Sequence, residues 1–284
     1  MPELPEVEVL VRHLAPLLLK RTIRAVRVHR SRVLRPTTER HFKQSLLGAK
    51  FVALSRRGKY LRFELRVPKR ADPVVLLGHL GMTGRMYLLP ARAELPRHAA
   101  VVLNLGRANF VFEDMRYFGR LTLDVGALEN LGPEPLEAKF TVPYFADALR
   151  RSGQAIKIKL LDQSLLAGVG NIYASEALFR ARISPVLPAW SLTPRQVQSL
   201  RRAIRQVLRE AIERGSTLPL DYAGAGIGDG LFYFGRASGP EDFYQERLRV
   251  YDRMGQSCFR CGTPIERSVQ AARSTFYCPK CQSC

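Results

Sequence analysis

The sequence predicts an α+β protein of several domains, in which a β-rich part precedes a helical part and a cysteine-rich segment follows. Three observations support this order. Apolar and polar residues alternate along much of residues 1–130, as in half-buried strands. From about residue 137 the apolar residues recur at helical spacing instead. All five cysteines of the 284-residue chain follow residue 257, and this length accommodates more than one hydrophobic core.

The charge of the chain is strongly basic. Its 45 Lys and Arg residues against 25 Asp and Glu give a formal net charge of +20, and residues 1–70 hold 18 Lys or Arg against five Glu. Such an excess favours a polyanionic partner, with nucleic acid first. A ribosomal or RNA-associated protein, or simply a soluble basic surface, are the alternatives. No apolar run approaches the ~18–20 residues of a membrane span, and the acidic N-terminus is unlike a secretory signal.

The chain begins Met1-Pro2-Glu3-Leu4-Pro5-Glu6. An initiator Met is usually removed before a small residue such as Pro2, which would then carry a secondary amine. An α-amino group titrates near ~7.7–8.0, against ~10.4 for a lysine, and a free amine attacks electrophilic carbon to form a Schiff base. A helix N-terminus also favours a nearby carboxylate such as Glu3. The plainer alternative is that Pro2 and Glu3 only start a helix.

The first helix is predicted from Pro5 to about Leu19, since Val7, Leu10 and Leu14 follow at helical spacing. Strands are expected around Ile23–Val28, Leu61–Val67, Val74–Leu80, Val101–Leu105, Phe110–Phe112 and Leu121–Leu123. We expect them to form a β-sandwich flanked by helices over residues 1–131.

Gly132-Pro133-Glu134-Pro135 is the predicted domain boundary. A second domain is expected over residues 137–247, with helices from Thr141 to Arg151, over Ile156–Leu166, over Ile172–Ala181, and from Thr193-Pro194 to Gly215. Residues 217–242 are rich in Gly and aromatics and are expected to form a long loop. Residues 248–284 form the third predicted domain.

The cysteines predict a metal site. Cys258-x-x-Cys261 is followed after sixteen residues by Cys278-x-x-Cys281, so two tight turns supply four thiolates for one tetrahedral Zn²⁺. A closed four-thiolate shell makes the zinc structural. Cys284 is left over, either as a competitor of Cys281 or as a free thiol. The absence of other cysteines fits a reducing compartment better than a disulfide framework.

Three further segments are candidate contacts for nucleic acid. Gly168-Val169-Gly170-Asn171 exposes backbone amides where a helix starts, which favours a phosphate, although a plain turn is the alternative. Lys59, in a basic turn entering a strand, is either a phosphate contact or a charged hairpin tip. Gly81-Met82-Thr83-Gly84 and Asp114-Met115-Arg116-Tyr117-Phe118-Gly119 together resemble a wedge that enters a base stack. Core packing is the alternative for Met82 and Phe118.

Together these residues resemble a bacterial formamidopyrimidine-DNA glycosylase almost from end to end. The resemblance rests on Pro-Glu-Leu-Pro-Glu at the start, Gly58-Lys59-Tyr60, His79-Leu80-Gly81-Met82-Thr83-Gly84, Arg116-Tyr117-Phe118-Gly119, Gly168-Val169-Gly170-Asn171-Ile172-Tyr173 and Phe276-Tyr277-Cys278-Pro279-Lys280-Cys281. It implies a β-sandwich, a helix-two-turn-helix domain and a zinc ribbon. It also implies a protein of the bacterial cytoplasm, associated with the nucleoid, whose partner is double-stranded DNA with oxidised bases or abasic sites. A monomer is the default expectation, since the sequence has no evident heptad or extended apolar patch.

The resemblance implies a bifunctional glycosylase and AP lyase. The amine of Pro2 attacks C1′ of an extruded oxidised purine nucleotide, and β,δ-elimination then cleaves the strand. Glu3 serves as general acid and base, and Glu6 helps to order the terminus. The implied contacts to DNA, with Lys59 also counted as catalytic, are Lys59, Asn171, Arg273, Gly170, His79, Met82, Arg116 and Phe118.

Two departures from the family pattern stand out. The Thr217–Asp242 loop is longer and richer in Gly and aromatics, so the resemblance does not fix the exact substrate preference. Ala271-Ala272 stands where a Gly is frequent before the ribbon Arg, and alanine is disfavoured if that turn needs positive φ. An endonuclease VIII-like enzyme acting on oxidised pyrimidines is one rival, which Leu4 disfavours. A non-enzymatic zinc-ribbon DNA-binding protein is the other.

Overall fold

The computed structural model describes residues 2–68, 70–215 and 248–283, and the backbone of residues 220–221 and 233–234. The chain forms two compact units. The first is built mainly on Glu6–Glu129 and also contains Pro2, whereas the second contains Glu3–Pro5 and most of the described residues from Asn130 onward. The predicted loop over residues 217–242 lies outside the described residues apart from its two short strands, and the predicted three-domain boundaries stay a prediction.

The first unit contains two antiparallel four-stranded sheets. In chain order the strands are β1 (Ala25–Val28), β2 (Lys50–Arg57), β3 (Tyr60–Arg66), β4 (Val74–His79), β5 (Gly84–Pro90), β6 (Ala99–Asn104), β7 (Ala108–Asp114) and β8 (Arg120–Thr122). One sheet has the order β1-β6-β7-β5 and the other β2-β3-β4-β8. The helices are α1 (Leu4–Leu18) and α2 (Glu39–Leu46).

Both sheets bury their inner faces in a common core. Phe51 and Phe63 from one sheet pack with Phe110 and Phe112 from the other, and α1 adds an apolar stripe to the same cluster. Each fully buried side chain of this size stabilises the fold by roughly 1.5–3 kcal/mol. The predicted β-sandwich flanked by helices is therefore confirmed.

The second unit is mostly helical. Its helices are α3 (Val142–Arg150), α4 (Ile156–Lys159), α5 (Asn171–Ala181) and α6 (Pro194–Glu213). The predicted start of α6 is confirmed, since Thr193 and Gln196 form a reciprocal capping box there. The strands β9 (Leu220–Asp221) and β10 (Tyr233–Phe234), which pair with each other in the chain segment after α6, are assigned to the first unit. A hairpin of β11 (Glu266–Gln270) and β12 (Arg273–Tyr277) belongs to the second unit.

The predicted helix over Ile156–Leu166 is wrong, because the α-helix ends at Lys159. Asp162 accepts hydrogen bonds from the backbone N–H and the hydroxyl of Ser164, which starts a new turn. Leu160, Leu165 and Leu166 are nevertheless buried in the core of the second unit. Their spacing therefore reflects burial, not helix. None of the helices in the described ranges is long and apolar enough to cross a membrane.

Candidate active site

The N-terminal segment is held through the carboxylate of Glu3. Pro2 is buried, and Glu3 is only 2% exposed. The first amides of α5 bind this carboxylate, with N–H of Ile172 donating to Oε1 at 2.9 Å and N–H of Tyr173 to Oε2 at 3.4 Å. A helix N-terminus favours such an anion. These two amides hold Glu3, and binding of a phosphate by the turn Gly168-Val169-Gly170-Asn171 stays a prediction.

Two glycines make room for this segment. A Cβ on Gly170 would lie 2.3 Å from Cδ of Glu3, and one on Gly168 would lie 2.7 Å from Cβ of Leu4. Gly168 also has φ +88° and accepts the backbone N–H of Leu4 at 3.0 Å. Both glycines thus leave the space that the N-terminal segment occupies. A contact of Gly170 with DNA stays a prediction.

A buried lysine that belongs to none of the sequence motifs links α5 to the β11–β12 hairpin. Lys157 is fully buried, and its ammonium donates to the side chain of Asn171, to the carbonyl of Ser274 at 3.1 Å and to Oγ1 of Thr275 at 2.9 Å. Burial, followed by the charge of Arg273, lowers the pKa of Lys157 to about 8. In the sequence Lys157 is one of two lysines, with Lys159, that alternate with isoleucines, and this pattern does not distinguish it from a surface lysine.

Asn171 and the hairpin are joined directly. The side-chain amide of Asn171 donates to the carbonyl of Ser274 at 2.9 Å. Arg273, which directly precedes Ser274 in the hairpin, is exposed. The turn before it has Ala271 at φ +46° and Ala272 at φ +58°, so the predicted unfavourable backbone at this turn is confirmed. Asn171 is therefore bonded to the residue that directly follows Arg273, so two of the predicted DNA contacts lie near each other in the second unit.

Lys59 and His79 lie together in the first unit. Lys59 follows Gly58 in the β2–β3 turn, and its neighbour Tyr60 pairs with His79 across the sheet. Burial, then the charges of Lys59 and Arg120, lowers the pKa of His79 to about 4. Its Nδ1 accepts the backbone N–H of Gly81 at 3.2 Å. His79 is thus a neutral imidazole at pH 7 that presents Nε2–H, and it contributes no positive charge to a phosphate contact.

The predicted wedge residues are exposed on the first unit. Met82 is 51% exposed and Phe118 52% exposed, and the guanidinium of Arg116 lies 5.5 Å from the centre of the Phe118 ring. The core alternative for Met82 and Phe118 is therefore wrong. Glu6, by contrast, is 1% exposed in the first turn of α1, as expected for a residue that orders the terminus.

The four predicted zinc ligands lie together, with all of their sulfur atoms within 4.8 Å of one another. Sulfur atoms are 3.9 Å apart in Cys258 and Cys281, and 3.5 Å apart in Cys261 and Cys278. Tetrahedral Zn–S bonds of ~2.3 Å require separations of about 3.8 Å. The cluster therefore fits one structural zinc ion. Cys284 lies outside the described residues.

The zinc cluster supports the hairpin that reaches Asn171. Phe276 of β12 packs with Ile265, Val250 and the buried cysteines against Phe179 of α5. Metal binding is therefore coupled to the position of Ser274 and Thr275. The site of the second unit thus combines an N-terminal carboxylate at a helix start, a buried lysine and a zinc ribbon. A zinc ribbon in a chain of this net positive charge is typical of a nucleic-acid-binding protein.

Comparison with known proteins agrees with this class. The formamidopyrimidine-DNA glycosylase N-terminal domain matches residues 1–121, the H2TH domain of the same enzymes matches residues 131–220, and the zinc finger found in FPG and IleRS matches residues 255–283. The formamidopyrimidine-DNA glycosylase of Thermus thermophilus is 42% identical over 99% of this chain and 98% of its own length. That of Carboxydothermus hydrogenoformans is 38% identical over 99% and 100%.

Solved structures of formamidopyrimidine-DNA glycosylases have the same fold as this chain. The crystal structure of the Thermus thermophilus protein superposes with a TM-score of 0.82 at 40% identity, over 99% of this chain and 98% of that one. A Lactococcus lactis FPG mutant bound to Fapy-dG containing DNA superposes with a TM-score of 0.87 at 31% identity, over the full length of both. The chain belongs to the formamidopyrimidine-DNA glycosylase family. The zinc finger is one of three matched regions, so a zinc-ribbon protein without an enzyme domain does not account for the match.

Proposed function

We propose that this chain is a bifunctional DNA glycosylase and AP lyase that removes oxidised purines from duplex DNA through a Schiff base on Pro2. One observation supports this proposal most strongly. The carboxylate of Glu3, adjacent to Pro2, is buried and is held by two backbone amides of α5. A carboxylate kept in one place beside a terminal amine is what general acid–base catalysis at that amine requires.

In the proposed reaction, the nitrogen of Pro2 attacks C1′ of the damaged nucleotide. The bond from C1′ to the base breaks, and the base leaves with its electron pair and takes up a proton. Glu3 protonates the ring oxygen O4′, the bond from C1′ to O4′ breaks so that the sugar opens, and Pro2 loses its own proton as the iminium forms at C1′. The iminium acidifies C2′, so elimination breaks the bond to the 3′ phosphate and then that to the 5′ phosphate. The amine exists only after Met1 is removed, because a proline nitrogen in a peptide bond is not nucleophilic.

We propose that Lys59, Asn171 and Arg273 contact the phosphates around the lesion. The excess of cations in the chain supports a large electrostatic share of the binding energy. Asn171 is pre-positioned by its hydrogen bonds with Lys157 and Ser274, which lowers the entropy lost on binding. His79, as a neutral donor, supplies a hydrogen bond rather than a charge.

The proposed substrate class follows from the wedge and from the relatives. Met82, Arg116 and Phe118 are exposed on the first unit, as side chains that fill the space of an extruded base must be. MutM has been solved with carbocyclic 8-oxo-G containing DNA, and the Lactococcus lactis mutant with Fapy-dG containing DNA. We extend these lesions to this chain. A place in the bacterial cytoplasm, at the nucleoid, follows from the DNA substrate.

The test compares lesions and a matched pair of variants. Excision should be fast for 8-oxoguanine opposite cytosine and slow for thymine glycol, with a one-nucleotide gap as the product. Glu3→Gln should lower single-turnover excision by a factor on the order of 10² to 10⁴. Glu8→Gln, in the helix α1 that follows Glu3 and hydrogen-bonded to Arg12 and Arg56, should change it by less than about threefold. Faster excision of thymine glycol, or equal effects of the two variants, would refute the proposal.

A further inference from the structure

Two loops of the first unit carry the exposed wedge residues. Met82 lies in the loop between β4 and β5, whereas Arg116 and Phe118 lie in the loop between β7 and β8. A wedge that enters a base stack must resist displacement by the stacked bases. Loops held only at their ends would be displaced by the bases, so a rigid wedge requires contacts between the two loops.

Asp114, the last residue of β7, joins the two loops. Its side chain is fully buried. Oδ1 accepts the hydroxyl of Thr83 at 2.5 Å and the backbone N–H of Arg116 at 3.2 Å, and Oδ2 accepts the backbone N–H of Gly119 at 2.7 Å. The last two bonds fold the β7–β8 loop onto its own start. The bond from Thr83 crosses to the Met82 loop.

The backbones of the two loops also touch. A Cβ on Gly81, which has φ +61°, would lie 2.7 Å from the backbone nitrogen of Gly119. A Cβ on Gly119 would lie 2.7 Å from the carbonyl oxygen of His79 and 3.1 Å from Oδ2 of Asp114. Both positions therefore require glycine for close approach. The crossing hydrogen bond is formed where the loops are already in contact.

Tyr117 fixes the direction of its neighbours. It has φ +53°, which an aromatic residue rarely adopts. Its ring is held from two sides, with His98 at 6.5 Å between ring centres and the guanidinium of Arg30 at 5.4 Å from the ring centre. Because Tyr117 is anchored inward, Arg116 and Phe118 on either side of it are exposed.

We propose that Asp114 and Thr83 are positioning residues that lock the two loops into one preformed wedge. The inference rests on the proposed function, since it assigns these residues to the step in which the wedge replaces the extruded base. Neither side chain need touch DNA for this role. A preformed wedge meets the orphaned base in one orientation, so the lock should set the preference for the base opposite the lesion.

Thr83→Val tests the lock, because it removes the crossing hydrogen bond and leaves both bonds within the β7–β8 loop intact. We expect about tenfold slower single-turnover excision of 8-oxoguanine opposite cytosine, and a preference for cytosine over adenine reduced by about the same factor. Thr83→Ser keeps the hydroxyl and should restore both. Thr37→Val is the control, since it removes the same group from hydrogen bonds with Thr122 and with the backbone N–H of Leu123, and should leave the preference within about twofold.

A duplex that lacks the opposite base separates positioning from general damage. With no orphaned base to meet, the Thr83→Val protein should excise 8-oxoguanine from this duplex at the rate of the unmutated protein, within about twofold. An unchanged opposite-base preference in Thr83→Val would overturn the inference, and so would an equal loss on both duplexes. Failure of the unmutated protein to excise at all would instead count against the proposed function.

Discussion

Replacing Gly170 by alanine should uncouple Glu3 from α5. The added Cβ would lie 2.3 Å from Cδ of Glu3 and 2.5 Å from its Oε1, where 3.4–4 Å is an ordinary contact. The carboxylate must therefore move by about 1 Å or more. Gly170 has φ −136°, which alanine adopts readily. The effect thus comes from the contact and not from backbone strain.

The size of the effect follows from the hydrogen bonds that are lost. Moving the carboxylate breaks the bonds from Ile172 and Tyr173, at 2.9 and 3.4 Å. Hydrogen bonds to a charged group contribute roughly 1.5–3 kcal/mol each. Misplacement of a reacting group by ~1 Å costs on the order of 100-fold in rate. We therefore expect Gly170→Ala to slow Schiff-base formation by about 100-fold.

The assay is single-turnover borohydride trapping on a duplex with a preformed abasic site. Affinity for undamaged duplex is measured alongside and should change by less than about threefold. Gly153→Ala is the control, because no atom lies within 4 Å of the added Cβ. It should trap at the unmutated rate. If Gly170→Ala also formed the trapped complex at that rate, the hydrogen bonds between Glu3 and α5 would not be required for Schiff-base formation. If both the trapping rate and the affinity fell 100-fold, Gly170 would act through DNA binding.

Three other predictions address the ribbon and His79. Removing zinc with a chelator should weaken duplex affinity at least about tenfold, because the ribbon holds Ser274 against Asn171; unchanged affinity after verified metal loss would contradict this. The pKa of His79 is lowered from 6.5 to about 4, so below pH 6.5 the unfolded chain binds a proton that the folded chain excludes. The free energy of unfolding should therefore fall by about 2–3 kcal/mol between pH 6.5 and 4 because of this group. In His79→Gln the melting temperature should depend less on pH over that range. An equally steep fall in the variant would exclude His79 as the cause. Ala271→Asn combined with Ala272→Gly places residues that tolerate positive φ at this turn and should stabilise the hairpin by about 1 kcal/mol. The measurement is the rate of zinc release to a chelator, which should be slower. Release at the unmutated rate would show that the turn carries no strain.

Local patterns predict much of the fold. The capping pair Thr193 and Gln196 sets the start of α6 from two side chains alone. The two Cys-x-x-Cys pairs likewise predict the metal site, because the two-residue spacing within each pair brings its thiols together in one tight turn. Strand β5, by contrast, has no alternating pattern that would predict it, because Met86, Tyr87, Leu88 and Leu89 are all buried. Strand β2 also lacks a regular pattern, because a bulge between Phe51 and Ala53 interrupts its pairing.

The site is harder to predict where it depends on distant partners. Gly168 and Gly170 suggest a phosphate cradle as a motif, but the partner of Gly170 is Glu3, 167 residues away along the chain. Lys157 is recognisable only from the hairpin carbonyl and hydroxyl that surround its ammonium. Asp114 is one residue of a loop motif in the sequence, and its bond to Thr83 comes from strand pairing. Tertiary contacts, which residue type and spacing do not encode, decide all three.

The central claim is that the N-terminal nitrogen of Pro2 forms the covalent bond to DNA. The direct measurement is mass spectrometry of the borohydride-trapped complex after digestion, with the N-terminal peptide of the unreacted protein sequenced in parallel. We predict that the protein begins at Pro2 and that the sugar is attached to the nitrogen of this residue. A fully active protein that retains Met1, or a sugar attached to Lys59 or Lys157 instead, would contradict the account.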